Sequence, residues 1–252
     1  LTFENNMKNI AVVFGGFSSE HEVSVKSGKF IYENLKDNQS LNVYQICISK
    51  ETNYVIYDNN KYDLDYTNLS FKINGKKINL DGIFNIIHGE PGENGDLANI
   101  LEKNNIPQTG CNSFVSDLTF DKKRYIDFVN KLDIPSSKHI LLTSENQFDL
   151  EKIMSEINIP CIVKPNNGGS SIGVSKVNHI YDLENKIKIA FKECNEVLIE
   201  NFLFGKEVSV GVIQKKNERI ILPVTEIISE NELFDYEAKY LGQSTEITPA
   251  NI

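Results

Sequence analysis

At 252 residues the chain is long enough for a sizeable core, either as one large domain or as two to three small ones. Its formal net charge of −9 argues against a general nucleic-acid binder, because phosphate backbones need a basic face. Cys47, Cys111, Cys161 and Cys194 form no CxxC pair and His21, His88, His139 and His179 no HxxxH pair, so neither a zinc site nor a disulfide framework is suggested and the cysteines read as free, mostly buried thiols.

Leu1 to Asn6, ahead of Met7, are left out of the fold reading. No long uncharged apolar stretch could span a membrane and no signal-peptide core opens the chain, so a reducing cytoplasm is the expected compartment. Asn9 to Phe14 reads as an apolar strand running into Gly15-Gly16. Ser18-Ser19 offer caps for a helix to about Leu35, with Glu20 and Glu22 in its first turn and Val23, Phe30, Ile31 and Leu35 as its inward stripe. Leu41 to Ser49 is the next strand, which completes a strand, glycine turn, helix, strand unit of doubly wound type. Ligands of such sheets bind outside the carboxyl ends of the strands, where Glu20 stands.

Tyr54 to Leu80 reads as an insertion of little chemical interest, with Asn74-Gly75 as a hairpin turn. Gly82 to Ile87 is a buried strand ending in His88-Gly-Glu-Pro-Gly-Glu-Asn-Gly-Asp, a histidine and three acids among three glycines, and a helix follows to about Asn104. A plain turn and a site both fit that composition. Ile106 to Cys111 closes a first domain over residues 1–112. Helical segments begin at Ser113, around Asp121-Lys-Lys-Arg, and Ile134-Pro135 breaks them. Ile140 to Leu142 is a strand and Glu145 to Ile157 a helix.

Lys164-Pro-Asn-Asn-Gly-Gly-Ser-Ser-Ile-Gly-Val lies between two strands. Its glycines let backbone approach a ligand closely, successive N–H groups and two hydroxyls can face anionic oxygen, and Lys164 adds a charge at the root. It is not a Walker A loop, since no Gly-Lys-Ser/Thr follows. Nor is it a Rossmann fingerprint, since it opens no helix. A hairpin turn beside a solvated lysine has the same composition. Tyr181 to Lys192 then reads as a helix and Glu196 to Glu200 as a strand. Val208, Val210 and Val212 share one face of a further strand whose partner, after a turn at Lys215-Lys-Asn, is Ile220 to Val224.

Seven segments in order, Gly15-Gly-Phe-Ser-Ser-Glu-His-Glu-Val-Ser, His88-Gly-Glu-Pro-Gly-Glu-Asn-Gly, Asp121-Lys, Val163-Lys-Pro, Gly169-Ser-Ser-Ile-Gly, Val197-Leu-Ile-Glu and Tyr236-Glu-Ala-Lys-Tyr, resemble D-alanine:D-alanine ligases, which are ATP-grasp enzymes. The resemblance implies an α/β fold with an N-terminal doubly wound parallel-sheet domain over residues 1–112. An ATP-grasp pair of α+β domains follows over residues 113–204 and 205–252, the last incomplete. It implies Lys122 and Lys164 at the ATP phosphates under a loop from Gly168 to Gly173 that includes Gly169, Ser170 and Ser171. Glu200 would take the adenine amino group, Asn201, Phe202 and Leu203 would form the hinge beside the base, and Glu207 would hold the ribose hydroxyls. Carboxylates facing amino or hydroxyl donors and lysines facing phosphates agree with the residue chemistry.

For the substrate, the resemblance implies that Glu20 pairs with the ammonium of the first D-alanine, with His88 nearby. Ser170 and Tyr240 would join Glu20 in a hydrogen-bonded set over the closed site, with Lys239 on the closing segment. The implied chemistry is attack of a D-alanine carboxylate on the γ-phosphate, then displacement of phosphate by the amine of a second D-alanine, in service of peptidoglycan precursor synthesis. ATP and Mg²⁺ or Mn²⁺ are the implied cofactors, and a homodimer is common in such ligases. The chain stops at Ile252, short of the segment that carries the family's metal ligands, a catalytic arginine and part of the second D-alanine pocket. No metal ligand is therefore expected here. Asn201 also stands where a lysine is frequent and His21 where an arginine is frequent. Two alternatives stay open: a non-catalytic nucleotide-binding fragment, and an ATP-grasp ligase of different acid specificity.

Overall fold

The computed structural model describes residues 7–145, 147–229, 239 and 243–252. The chain forms two compact units, Leu1–Leu132 with Asn167–Gly169, and Asp133–Asn166 with Ser170–Ile252. The first unit runs β1 (Lys8–Gly15), α1 (His21–Leu35), β2 (Leu41–Ile48), β3 (Tyr54–Tyr57), β4 (Asn60–Asp65), β5 (Ser70–Ile73), β6 (Lys76–Ile78), β7 (Gly82–Asn85), α2 (Asp96–Lys103), α3 (Ser113–Phe120) and α4 (Lys122–Asn130).

Among the described residues its sheet has seven strands in the order β6-β5-β4-β3-β2-β1-β7. β1 lies one strand in from the β7 edge, pairs in parallel with β2 and β7, and has Ala11, Val12 and Val13 fully buried because both of its faces are covered. Alternation along β1 sends Ala11 and Val13 to one face, packed with Ile46, Leu97 and Leu101, and Val12 and Phe14 to the other, packed with Val25, Ile31 and Leu35 of α1. Gly28 brings α1 down onto β1, since a Cβ there would lie 2.5 Å from Phe14 Cβ. The segment read as an insertion supplies β3 to β6, an antiparallel extension that adds Val55, Phe71 and Ile73 to the core. Its Asn74-Gly75 turn has φ of 50° and 79°, which Asn and Gly tolerate.

The inward stripe of α1 differs from the expected one. Phe30 is 67% exposed, while the buried positions are Ser24 and Gly28, because close approach to Phe14 favours small residues over a large ring. The helix N-cap is Glu20 without a side-chain cap, as the Ser18 hydroxyl is turned to other partners. Two of the thiols are buried, Cys47 and Cys161, whereas Cys111 is exposed and Cys194 half-buried. Burial pushes the Cys161 thiol up to about 11, which keeps it unreactive.

The second unit runs β8 (His139–Leu142), α5 (Leu150–Glu156), β9 (Cys161–Pro165), β10 (Ser175–Val177), α6 (Ile180–Phe191), β11 (Val197–Asn201), β12 (Glu207–Ser209), β13 (Val212–Lys215), β14 (Glu218–Ile221), β15 (Thr225–Ser229) and β16 (Ser244–Ile247). Its first sheet is ordered β10-β9-β11-β8. Cys161, Val163, Val177, Val197 and Ile199 pack against Ile153 and Ile157 at α5 and Leu183 and Ile187 of α6, so the helices cover one face. The period of two then directs Lys164, Lys176 and Glu200 to the other face. The helix expected from Glu145 starts only at Leu150, where Asp149 accepts from the Glu151 and Lys152 N–H groups.

Val208 and Val212 do not share one strand. Val208 lies in β12, which pairs with β15, and Val212 in β13, which pairs with β14. The handover is at Gly211, whose carbonyl accepts from Leu222 N–H at 2.8 Å and ends the β13–β14 ladder.

Candidate active site

In the first unit, the carboxyl ends of β1 and β7 lead into two loops that carry the polar groups. Glu20, at the start of α1, is only 3% exposed, so the accessible acid expected at a helix start is instead a buried carboxylate. A Cβ on Gly169 would lie 3.2 Å from its Oε1, and one on Gly89 3.2 Å from its Oε2, so both glycines leave room for this group. His88 follows β7 and is half-buried, with its Nε2 buried and without a hydrogen-bond partner, a polar atom available to an entering ligand. His21 donates from Nδ1 to Gly16 O at 2.9 Å, which fixes it to the glycine turn.

Ser24 ties the two strand ends together, accepting from Gly15 N–H and donating to Ile86 O, both at 2.8 Å. Glu93, in the loop after β7, accepts from Gly89 N–H at 2.8 Å. Burial first, and the negative Glu20 to a lesser degree, hold its carboxyl above the ordinary range, against the pull of Gly89 N–H, His88 and Lys122. Lys122 begins α4, placed by the Asp121 cap that accepts from Arg124 N–H, and its Nζ donates to Gly168 O at 2.8 Å. A cleft of about 400 Å³ opens here, lined by Asn85, Glu93, Thr119, Phe120, Lys122 and Gly168 among others.

The second unit holds the remaining described positions. Lys164 Nζ donates to Glu200 Oε1 at 2.5 Å, across neighbouring strands in which Lys164 faces Leu198 and Glu200 faces Ile162. Lys176 on β10 stands over the Phe202 ring at 4.4 Å, a cation–π contact that the sequence alone does not flag. Asn201 is anchored through its backbone, N–H to Lys138 O at 3.0 Å and O from Ser137 Oγ at 2.6 Å, and Phe202 N–H donates to Pro160 O. Leu203 and Glu207 are exposed.

In the glycine-rich loop, Gly168, Ser170, Ser171 and Gly173 have φ of 112°, 46°, 59° and 73°. Left-handed serines are uncommon, so two in succession mark a backbone held in a conformation that ordinarily favours glycine. Lys239 Nζ donates to Ser171 Oγ at 2.8 Å, and Tyr240 lies outside the described residues. Sequence reasoning named neither Glu93 nor Ser24 nor Lys176. Glu93 was one of three acids in a loop that read as site-like, and its bond from Gly89 N–H sets it apart from the other two.

The arrangement fits a nucleotide, with lysines for phosphates and a carboxylate for an amino group on one helix-free sheet face. For a divalent metal the described residues hold no group of three or more His, Cys, Asp or Glu at ligating distance.

A doubly wound unit with a buried carboxylate at its strand ends, together with a Gly/Ser loop between antiparallel strands, defines an ATP-grasp ligase. The family model described as "D-ala D-ala ligase N-terminus" matches residues 9–111, and that described as "D-ala D-ala ligase C-terminus" matches residues 128–252. The chain belongs to the D-alanine–D-alanine ligase family. It is 43% identical to D-alanine–D-alanine ligase of Flavobacterium johnsoniae over 98% of this chain and 76% of the relative. Its identity to the ligase of Flavobacterium psychrophilum is 44%, over 97% and 74%. Among solved structures, D-alanyl-alanine synthetase A from Vibrio cholerae superposes with a TM-score of 0.82 at 27% identity, over 98% of this chain and 76% of that one. VanG D-Ala:D-Ser ligase from Enterococcus faecalis gives 0.80 at 29%, over 98% and 77%.

Proposed function

We infer that the protein joins two D-alanine molecules at the expense of ATP, through an acyl phosphate, to give the D-alanyl-D-alanine of peptidoglycan precursors. The observation that carries this reading is the gathering of Lys164, Lys176 and Glu200 on the helix-free face of β10-β9-β11, a nucleotide-binding composition within a chain of this family. Lys122 and Lys164 bind phosphate oxygens, the loop from Gly168 to Gly173 covers them with Gly169, Ser170 and Ser171, and Glu200 with Asn201, Phe202 and Leu203 receives the base. Glu207 takes the ribose. Glu20 receives the ammonium of the first D-alanine beside His88, and Ser170, Lys239 and Tyr240 close over it. Negative charge builds in both steps, so cations and backbone N–H groups stabilise them, and closure keeps water from the acyl phosphate.

The three-part division at residues 112 and 204, Mg²⁺ as the accompanying ion, a cytoplasmic setting and a homodimer complete the proposal. No helix among the described residues is long and apolar enough to cross a membrane. The test is phosphate release from ATP by the intact protein with D-alanine, D-serine or neither, in wild type and Lys164→Ala. D-alanine-stimulated release that falls by about 10²-fold in the variant is expected, since charge stabilisation of this kind carries such magnitudes. Hydrolysis indifferent to D-alanine would sink the reading, and preference for D-serine as the second amino acid would move it toward the D-Ala:D-Ser type.

A further inference from the structure

The two loops of the first unit are joined by Phe17 N–H to Glu90 O at 2.7 Å and at the peptide plane between His88 and Gly89. Its carbonyl, His88 O, accepts from Ser18 Oγ at 3.0 Å, and its amide, Gly89 N–H, donates to Glu93 Oε2 at 2.8 Å. Both polar groups of one peptide are thus taken by side chains and not by a sheet or helix ladder. Such a plane cannot rotate without breaking both bonds. Ser18 Oγ also accepts from Glu20 N–H at 3.2 Å, so one hydroxyl joins the backbone of Glu20 to that of His88. The space is fitted to this contact, because Gly89 has φ of 71° and a Cβ there would stand 2.6 Å from Ser18 Oγ. Gly89 O in turn accepts from Gly92 and Glu93 N–H at 3.0 and 2.9 Å, which closes the loop on itself.

We propose that Ser18 and Glu93 are positioning residues for the first amino acid: clamping the His88–Gly89 peptide from both sides, they set His88 against Glu20. The proposal rests on the reading that Glu20 and His88 meet the same substrate. Neither Ser18 nor Glu93 touches the reacting atoms. Their effect is on where the ammonium-binding carboxylate and the imidazole stand relative to one another, so loss of either widens the substrate site and leaves nucleotide binding alone.

Ser18→Ala, Ser18→Thr, Glu93→Ala and Glu93→Gln in the intact protein test this by two readouts: the KM for D-alanine at the first site against the KM for ATP, and hydrogen exchange of the Gly89 amide. The two Ala variants are expected to raise the D-alanine KM about tenfold with the ATP KM within about twofold, the loss of roughly one hydrogen bond. Glu93→Ala is also expected to speed Gly89 exchange by at least about tenfold, because the amide loses its acceptor. Thr and Gln keep a hydroxyl and an acceptor and are expected to restore both readouts. Equal rises in the two KM values, or Gly89 exchange unchanged in Glu93→Ala, would overturn the clamp. Should Glu93→Ala not fold, Ser18→Ala and Glu93→Gln carry the test. Absence of D-alanine-dependent phosphate release in wild type would instead remove the functional reading, and Gly89 exchange in Glu93→Ala and Glu93→Gln would then judge the clamp by itself.

Discussion

Glu93 illustrates how one partly desolvated carboxyl leaves a mark on stability. Its folded value is raised, chiefly by burial, so between the ordinary glutamate value of 4.5 and that raised value the folded chain holds more proton than the unfolded one. Stability contributed by this group is therefore greatest at low pH and declines as pH rises through that window. Glu93→Gln keeps an acceptor for Gly89 and removes the charge, and it is expected to raise Tm at neutral pH but not near pH 4. Thermal melts of both proteins across that range check the sign, and a pH-independent difference would refute it. Lys164 teaches a related point about reading residues. Sequence chemistry directs its ammonium to a ligand, whereas the structure also gives it Glu200, with the two side chains only 20% and 17% exposed. Two residues 36 apart, each legible as a nucleotide contact, carry no sign in the sequence that adjacent strands bring them together. The place of Glu20 at the strand ends was legible from Gly15-Gly16 ahead of it, but not its burial, which goes with the close approach of Gly89 and Gly169 to its carboxylate.

At the scale of elements, α1 is set by what it lacks. Gly28 lets the helix approach Phe14 with no Cβ to intervene, so Gly28→Ala places a methyl 2.5–2.7 Å from three atoms of the ring and its stem. Helix propensity favours alanine by about 1 kcal/mol, but overpacking costs about 1–3 kcal/mol and wins. Urea denaturation is expected to show net destabilisation together with a weaker first amino acid site, because Glu20 begins this helix; a variant more stable than wild type would show that α1 can tilt away freely. The helix α6 and the strands β9 and β11 were readable because each buries an apolar stripe or run against the other. The stripe of α1 was readable at Ile31 and Leu35 but not at its closest contact, which is made by a glycine and a serine that hydrophobic patterns pass over. Breaking Val208 and Val212 into separate strands likewise depends on which partner each segment finds, and that information lies at Val224 to Ser229 and not in the valines.

For the molecule as a whole, each unit has its own core, one around β1 and β2, the other around β9, β11 and α6. Calorimetry is expected to resolve two unfolding events, as is common for chains with separate cores. Val12→Ala should lower one and Ile187→Ala the other, each by an amount that reflects about 2–4 kcal/mol of lost packing. A single event shifted equally by both variants would show that the cores melt together. The margins of the seven-stranded sheet carry a last consequence. On one side β6 is three residues long and presents exposed Lys76 and Lys77. On the other, Ile83 in β7 is already bonded along its outer edge, giving its N–H to Pro107 O and taking that of Thr109. A stranger's extended segment finds like charge at one border and spent hydrogen bonds at the other. Both borders of this sheet are thus closed to recruitment of a further strand.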